Sequence, residues 1–187
     1  MVTSPDSFHT VLNVFSEEEC QRIIALGLSK PLEVGYAPGM MIDPDRRSSM
    51  IRFMYLLEEK QWIFERLWKL VNDTYPDIGV DTLNFLQFTE YKSEYGGHFE
   101  WHRDTEVFYH PTDTINLKRK LTVVIQLSDP NLYDGGDLEF VSQKGELSTI
   151  QRCRGCAIMF PSRILHRANK VTSGVRYSLV AWFEGPR

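Results

Sequence analysis

The chain predicts a mainly β fold with two helices in its first half: a double-sheet jelly roll with the helices packed on one side. Three observations carry this. Segments 17–29 and 58–75 place apolar residues at helical spacing. From residue 83 the pattern changes to short strands separated by turns. Each of the longer strands then has one fully apolar face and one mixed face, as a sheet does when helices cover one side and a polar pocket lies on the other. A length of 187 residues suits one domain, with 1–82 as helical support carrying a long loop and 83–187 as the jelly-roll core.

Phe8 to Phe15 alternates and reads as a short first strand. Ser16-Glu17-Glu18-Glu19 is a capping box with three acids in the first turn, where the helix dipole favours them. Cys20, Ile23, Ile24 and Leu28 then share one face, and Pro31 ends the helix. Residues 35–49 are rich in Gly, Pro and charge and read as a lid, a binding loop or a plain connector. Met50 to Leu57 reads as a strand. In 58–75 the buried stripe is Trp62, Leu67, Leu70 and Val71, and the wet face is Glu58, Glu59, Lys60, Glu65 and Lys69. Pro76 and Gly79 close that helix.

Among the strands, Leu86 and Phe88 oppose Phe85, Gln87, Thr89 and Tyr91. Leu121, Val123, Ile125 and Leu127 oppose Thr122, Val124 and Gln126. Tyr177, Leu179, Ala181 and Phe183 oppose Arg176, Ser178, Val180 and Trp182. Tyr91 and Trp182 on the mixed faces favour a pocket over a freely solvated surface. Asp134-Gly-Gly-Asp137 is a turn that starts the strand Leu138-Glu139-Phe140, and 155–162 is an apolar strand ended by Pro161.

The net charge is −4 with no basic stripe, which argues against a nucleic-acid partner. No basic stretch followed by an apolar core begins the chain, and no apolar run approaches the ~20 residues of a membrane span. These features predict a cytoplasmic protein without a membrane partner; the oligomeric state is left open. Three cysteines, an odd and sparse set, predict a reducing compartment. Cys153-Arg-Gly-Cys156 has zinc-knuckle or redox spacing, but no second ligand pair accompanies it, so it reads as a turn with two small residues.

The chemistry-bearing stretch is His102-Arg103-Asp104. Strand side chains alternate, so this triplet puts an imidazole and a carboxylate on one side. With His166 downstream it supplies a two-His-one-carboxylate face, the ligand set of non-haem Fe(II) oxygenases. Alone, the triplet is also compatible with a surface ion pair. Arg176 adds a rigid fork suited to a carboxylate. His9, His98 and His110 read as structural or loop residues. Arg46 and Arg47 read equally as a solvated pair or as a grip on an acidic substrate.

Residues from about 91 to 184 resemble the 2-oxoglutarate/Fe(II) dioxygenase superfamily, in its prolyl 4-hydroxylase-like branch and closest to PKHD-type hydroxylases. The resemblance rests on Leu127-Ser-Asp-Pro-Asn-Leu-Tyr-Asp-Gly-Gly-Asp-Leu138, on Phe160-Pro-Ser-x-x-x-His166 and on Val171-Thr-Ser-Gly-Val-Arg176. It implies a double-stranded β-helix holding Fe(II) through His102, Asp104 and His166, with 2-oxoglutarate on Arg176, Tyr91 and Gln126, O2 as oxidant and ascorbate as reductant. Collagen-type prolyl hydroxylases generally carry Lys at the Arg176 place, which sides this chain with the PKHD and oxygen-sensing types. Trp182, Gln87 and Arg47 are candidate substrate-pocket residues, and loops 35–49 and 105–119 would flank the mouth. The implied reaction hydroxylates a carbon centre, first a prolyl residue in a peptide or protein, with succinate and CO2 as coproducts. A free amino acid or small metabolite is the alternative substrate. The resemblance disfavours nucleic-acid demethylation, where a second Arg stands six residues on and this chain has Trp182. It disfavours a cupin, which pairs His with His where this chain has Asp104. A non-catalytic jelly-roll binding module, the reading from another class, usually lacks a ligand or the Arg, and all four are present.

Overall fold

The computed structural model describes residues 8–34, 43–56, 60–105, 117–142 and 144–186. Its elements run β1 (His9–Val11), α1 (Glu17–Leu28), β2 (Glu33–Val34), β3 (Arg47–Ser48), β4 (Met50–Tyr55) and α2 (Gln61–Thr74). There follow β5 (Phe85–Lys92), β6 (His98–His102), β7 (Leu117–Gln126), β8 (Tyr133–Gly135) and β9 (Leu138–Val141). The last four are β10 (Leu147–Thr149), β11 (Ala157–Pro161), β12 (His166–Ala168) and β13 (Val171–Pro186). The predicted mainly β jelly roll with two helices is what forms, and the strands expected before α1 and between the helices are present as β1 and β4.

Two sheets face each other. The larger has the order β1-β11-β7-β13-β5-β4-β2, with β8 paired to β13, and the smaller has β10-β9-β12-β6-β3. The alternation along β5, β7 and β13 decides what each face touches. Leu86, Phe88, Leu121, Val123, Ile125, Leu179, Ala181 and Phe183 are buried in one cluster with the residues of α1 and α2. Each fully buried aliphatic or aromatic side chain here contributes about 1.5–3 kcal/mol. The opposite faces look into the space between the sheets, where Val124, Leu138, Phe140, Ile150, Ile158 and Phe160 form a second apolar cluster.

The helices sit as their caps dictate. The capping box of Ser16 and Glu19 is complete in both directions and starts α1 at Glu17. The buried face of α1 is Cys20, Ile23 and Gly27, while Leu28, expected on that face, is exposed. Gly27 explains the rotation: a Cβ there would lie 2.4 Å from the Phe88 ring, so only a bare backbone lets helix and sheet approach this closely. In α2 the buried residues are Ile63, Phe64, Leu67 and Val71, with the expected Trp62 and Leu70 half-buried at the margins. Lys60, expected on the wet face, is buried. The helix begins at Gln61 rather than 58, so Lys60 occupies the entry turn and leaves the helical wheel on which its exposure was reckoned. Glu58 and Glu59 lie outside the described residues.

Three further differences bear on function. Within the 35–49 loop, residues 43–46 turn and Arg47–Ser48 form β3, which pairs with β6 in the register Arg47↔Phe99. Residues 35–42 and 106–116, most of both expected mouth loops, lie outside the described residues. Cys153 and Cys156, expected as two separate small residues at a turn, are joined as a disulfide; the tight turn between them brings their Cα atoms to 5.7 Å. No helix among the described residues is long and apolar enough to cross a membrane.

Candidate metal centre

β6 ends on His102, and β12 starts on His166 directly opposite it in the ladder. Asp104 follows β6 by two residues, and its backbone N–H donates to the Ser162 carbonyl at 2.8 Å, which ties it to the end of β11. All three side chains are buried, and their ligand atoms lie within 4.8 Å of one another.

The hydrogen bonds set the tautomers. Each imidazole donates its Nδ1–H to the carbonyl two residues earlier, His102 to Glu100 at 2.7 Å and His166 to Ile164 at 2.9 Å. A carbonyl only accepts, so each ring carries a proton on Nδ1 and turns its Nε2 toward the site. Burial pushes His102 down to about 3, with His166 beside it acting in the same direction, so it stays neutral. Burial alone would raise Asp104, but His166, His102 and Arg119 outweigh it and hold the carboxyl below its ordinary value. The Trp182 indole also helps lower Asp104, although its N–H meets hydrogen-bond geometry with no described atom.

The two Nε2 atoms and the carboxylate therefore face one another across the site. The Nε2 of His102 is 3.6 Å from Asp104 Oδ1, and that of His166 is 3.6 Å from Oδ2, both too long for hydrogen bonds. Converging acceptors repel unless a cation sits among them. With ligand bonds of about 2.1 Å, donors on one ion lie at most about 4.2 Å apart; His102 Nε2 and Asp104 Oδ1 fall inside that limit, and one ligand atom from each of the three residues lies within 4.8 Å of the others. The donor set, two imidazoles and one carboxylate, suits Fe(II) with positions left open. Phe99 stacks on His102 with ring centroids 3.5 Å apart, and the Arg47 guanidinium lies 4.4 Å over Phe99 on its side.

These ligands line a cavity between the sheets. Its wall includes Tyr91 and Gln87 from β5, Val124 from β7, and Arg176, Ser178, Val180 and Trp182 from β13. Arg47 and Phe99 line it too. Arg176 is 2% exposed, its Nε has no hydrogen-bond partner among the described residues, and its guanidinium lies 5.4 Å over the Tyr91 ring. A buried, unsatisfied cationic donor calls for an anion. Gly136, directly after β8, abuts it: a Cβ there would sit 2.9 Å from Arg176 Cδ, on a backbone with φ +65°.

Of the residues singled out in the sequence, the fold brings together His102, Asp104, His166, Arg176, Tyr91, Gln87, Trp182 and Arg47. Gln126 is not in the cavity wall. It ends β7 beyond Val124, and its amide donates to the Gln151 carbonyl at 3.3 Å and toward Cys153 Sγ at 3.8 Å. Sequence reasoning assigned no role to Thr122, Ser162 or Phe99; the position of Thr122 on a mixed strand face was the available signal.

Residues 86–184 match the profile of the 2OG-Fe(II) oxygenase superfamily. This chain belongs to that superfamily. The oxygenase is 35% identical over 98 residues to a PKHD-type hydroxylase of Pseudoalteromonas atlantica, which covers 52% of this chain and 42% of that one. It is 30% identical over 120 residues to a PKHD-type hydroxylase of Pseudomonas putida, covering 64% and 51%. The aligned region is thus about half or less of these relatives' length. In fold, the oxygenase is similar to a Pseudomonas putida prolyl-4-hydroxylase, with TM-score 0.65 at 19% identity over 97% of this chain and 94% of that one. It is also similar to a Trichoplax adhaerens prolyl hydroxylase solved with a hypoxia inducible factor peptide fragment, with TM-score 0.72 at 16% identity over 95% and 83%.

Proposed function

We propose that this oxygenase is an Fe(II)- and 2-oxoglutarate-dependent hydroxylase of a carbon centre, forming succinate and CO2. The observation that carries the reading is the pairing, in one cavity, of three converging acceptor atoms with the buried and unsatisfied Arg176. His102, Asp104 and His166 would hold the iron, and Arg176 the far carboxylate of 2-oxoglutarate, where a planar fork and a carboxylate match. Bound iron, cosubstrate and O2 together supply the oxidising power for an unactivated C–H bond. The chain's own work is positional. The two Nδ1–H bonds orient the imidazoles, Tyr91 supports the Arg176 guanidinium, and the apolar cluster between the sheets keeps water from the metal face.

A prolyl residue in a peptide is the first substrate class. Its support is the family match together with a fold that, in the Trichoplax adhaerens protein, receives a peptide. Arg47 in the cavity wall favours a second reading, a small carboxylate-bearing metabolite or free amino acid. Protein supplied with Fe(II), ascorbate and 2-oxoglutarate is expected to form succinate slowly without a prime substrate. A peptide and metabolite screen read as a +16 Da product then separates the two substrate classes. Absence of both succinate formation and calorimetric 2-oxoglutarate binding would overturn the proposal.

A further inference from the structure

Asp104 is held by more than its place after β6. The Thr122 hydroxyl donates to Asp104 Oδ2 at 2.9 Å, and the Ser162 hydroxyl lies 3.0 Å from Thr122 Oγ1. Thr122 has a single hydroxyl proton, and the carboxylate, which only accepts, takes it. Ser162 must therefore be the donor to Thr122. The backbone closes the ring, because Asp104 N–H donates to the Ser162 carbonyl and Ser162 N–H to the Lys120 carbonyl. Thr122 and Ser162 are both fully buried, so water does not substitute for either hydroxyl. One carboxylate oxygen is thus engaged by a fixed donor. The other, Oδ1, has no described hydrogen bond and faces His102 Nε2.

We infer that Thr122 and Ser162 form a two-hydroxyl relay that holds Asp104 as a one-oxygen metal ligand, and so keep an iron position open for the cosubstrate. The inference rests on the metal centre proposed above. Thr122 and Ser162 are positioning residues, acting only through Asp104. Without the relay the carboxylate is free to rotate and bind through both oxygens, which closes a position and relaxes the site. Partners of this kind typically tune metal affinity by about 10–100-fold. The relay also gives a role to the serine of Phe160-Pro161-Ser162: the turn that delivers His166 is the same one that anchors the carboxylate.

The test is Co(II) titration of the metal-free full chain, read by calorimetry and by the d–d absorption band, which reports coordination number. Thr122→Val keeps the shape and removes the hydroxyl; Thr122→Ser keeps the hydroxyl. Thr122→Val is expected to bind Co(II) about 10–100-fold more weakly with an altered d–d band, and Thr122→Ser to bind as the parent does. A Thr122→Val protein with parental affinity and spectrum overturns the relay while leaving the metal centre standing. So does a loss that Thr122→Ser fails to restore, since it would assign the effect to packing. A parent that binds no Co(II) overturns both. Should Thr122→Val not fold, Ser162→Ala carries the same test, with a smaller loss in the same direction expected and parental behaviour overturning the relay.

Discussion

Replacing Arg176 by Met should make this protein more stable alone and less stable with its cosubstrate. Arg176 is 2% exposed with an unsatisfied Nε, and a buried donor without a partner costs about 1–3 kcal/mol, with the upper end or more for a charged one. The Tyr91 ring beneath the desolvated guanidinium returns about 2 kcal/mol of that. Methionine fills similar space without a charge, so the net gain is about 1 kcal/mol, or a rise of about 2–4 °C in Tm for a chain of this size. Against this stands the cosubstrate. Two charge-assisted hydrogen bonds to a carboxylate at about 1.5–3 kcal/mol each amount to about 3–6 kcal/mol, or about 10²–10⁴ in affinity. The parent should gain about 2.7 kcal/mol at a 2-oxoglutarate concentration of about 100 Kd, and the variant almost nothing at the same concentration. Calorimetric titration of 2-oxoglutarate into Mn(II)-loaded protein measures the second effect, and urea unfolding of metal-free protein the first. An Arg176→Met protein that binds 2-oxoglutarate within about threefold of the parent would refute the carboxylate assignment. One that is destabilised without ligand would refute the account of Arg176 as a buried cation with an unpaired Nε.

Gly136→Ala should weaken 2-oxoglutarate about 10-fold or more while sparing metal affinity, because its Cβ displaces the Arg176 stem and the backbone is strained; parental affinity would count against it. Gly27→Ala, a change that helps an exposed helix, should here cost about 1–3 kcal/mol by pushing α1 off Phe88, and a raised Tm would contradict that packing. The metal-free protein should lose stability as pH falls from about 6.5 toward about 3. His102 stays neutral in the folded state down to about 3, whereas the unfolded chain takes up a proton near 6.5. The unfolded state thus binds more protons in this window, and stability falls by up to about 1.4 kcal/mol per pH unit, seen in urea midpoints. His102→Gln should flatten that slope.

What the order of residues reveals, and what it hides, divides along a physical line. Period-two alternation is intrinsic to a strand, so the faces of β5, β7 and β13 and the pairing of His102 with Asp104 are legible in the sequence alone. The superfamily motifs extend that reading to His166 and Arg176. What the sequence hides lies where an element ends or where a distant surface decides. Lys60 changes sides because α2 starts at Gln61, and Gln126 turns away because the Cys153 turn meets it at the end of β7. A two-residue strand has no period, so β3 and the placement of Arg47 beside Phe99 are hidden within a Gly- and Pro-rich stretch. The joining of Cys153 to Cys156 depends on the turn between them rather than on composition. Thr122 stands on the right face, but its role exists only once Ser162 and Asp104 are beside it.

The central place of β13 has a consequence for how the molecule is made. In the larger sheet, β1, β11 and β7 lie on one side of it and β5, β4 and β2 on the other, and no other described strand joins those two groups. β13 is also made after every other described strand. During synthesis the two groups wait as separate three-stranded pieces with open edges, each exposing backbone donors and acceptors that will later be paired. The contacts that unite them span most of the chain in sequence, which predicts slow assembly and a nascent state prone to wrong pairings. Arg176 arrives on this same strand. If Arg176 grips the cosubstrate as proposed, competence to bind it and closure of the larger sheet are gained together, with β13.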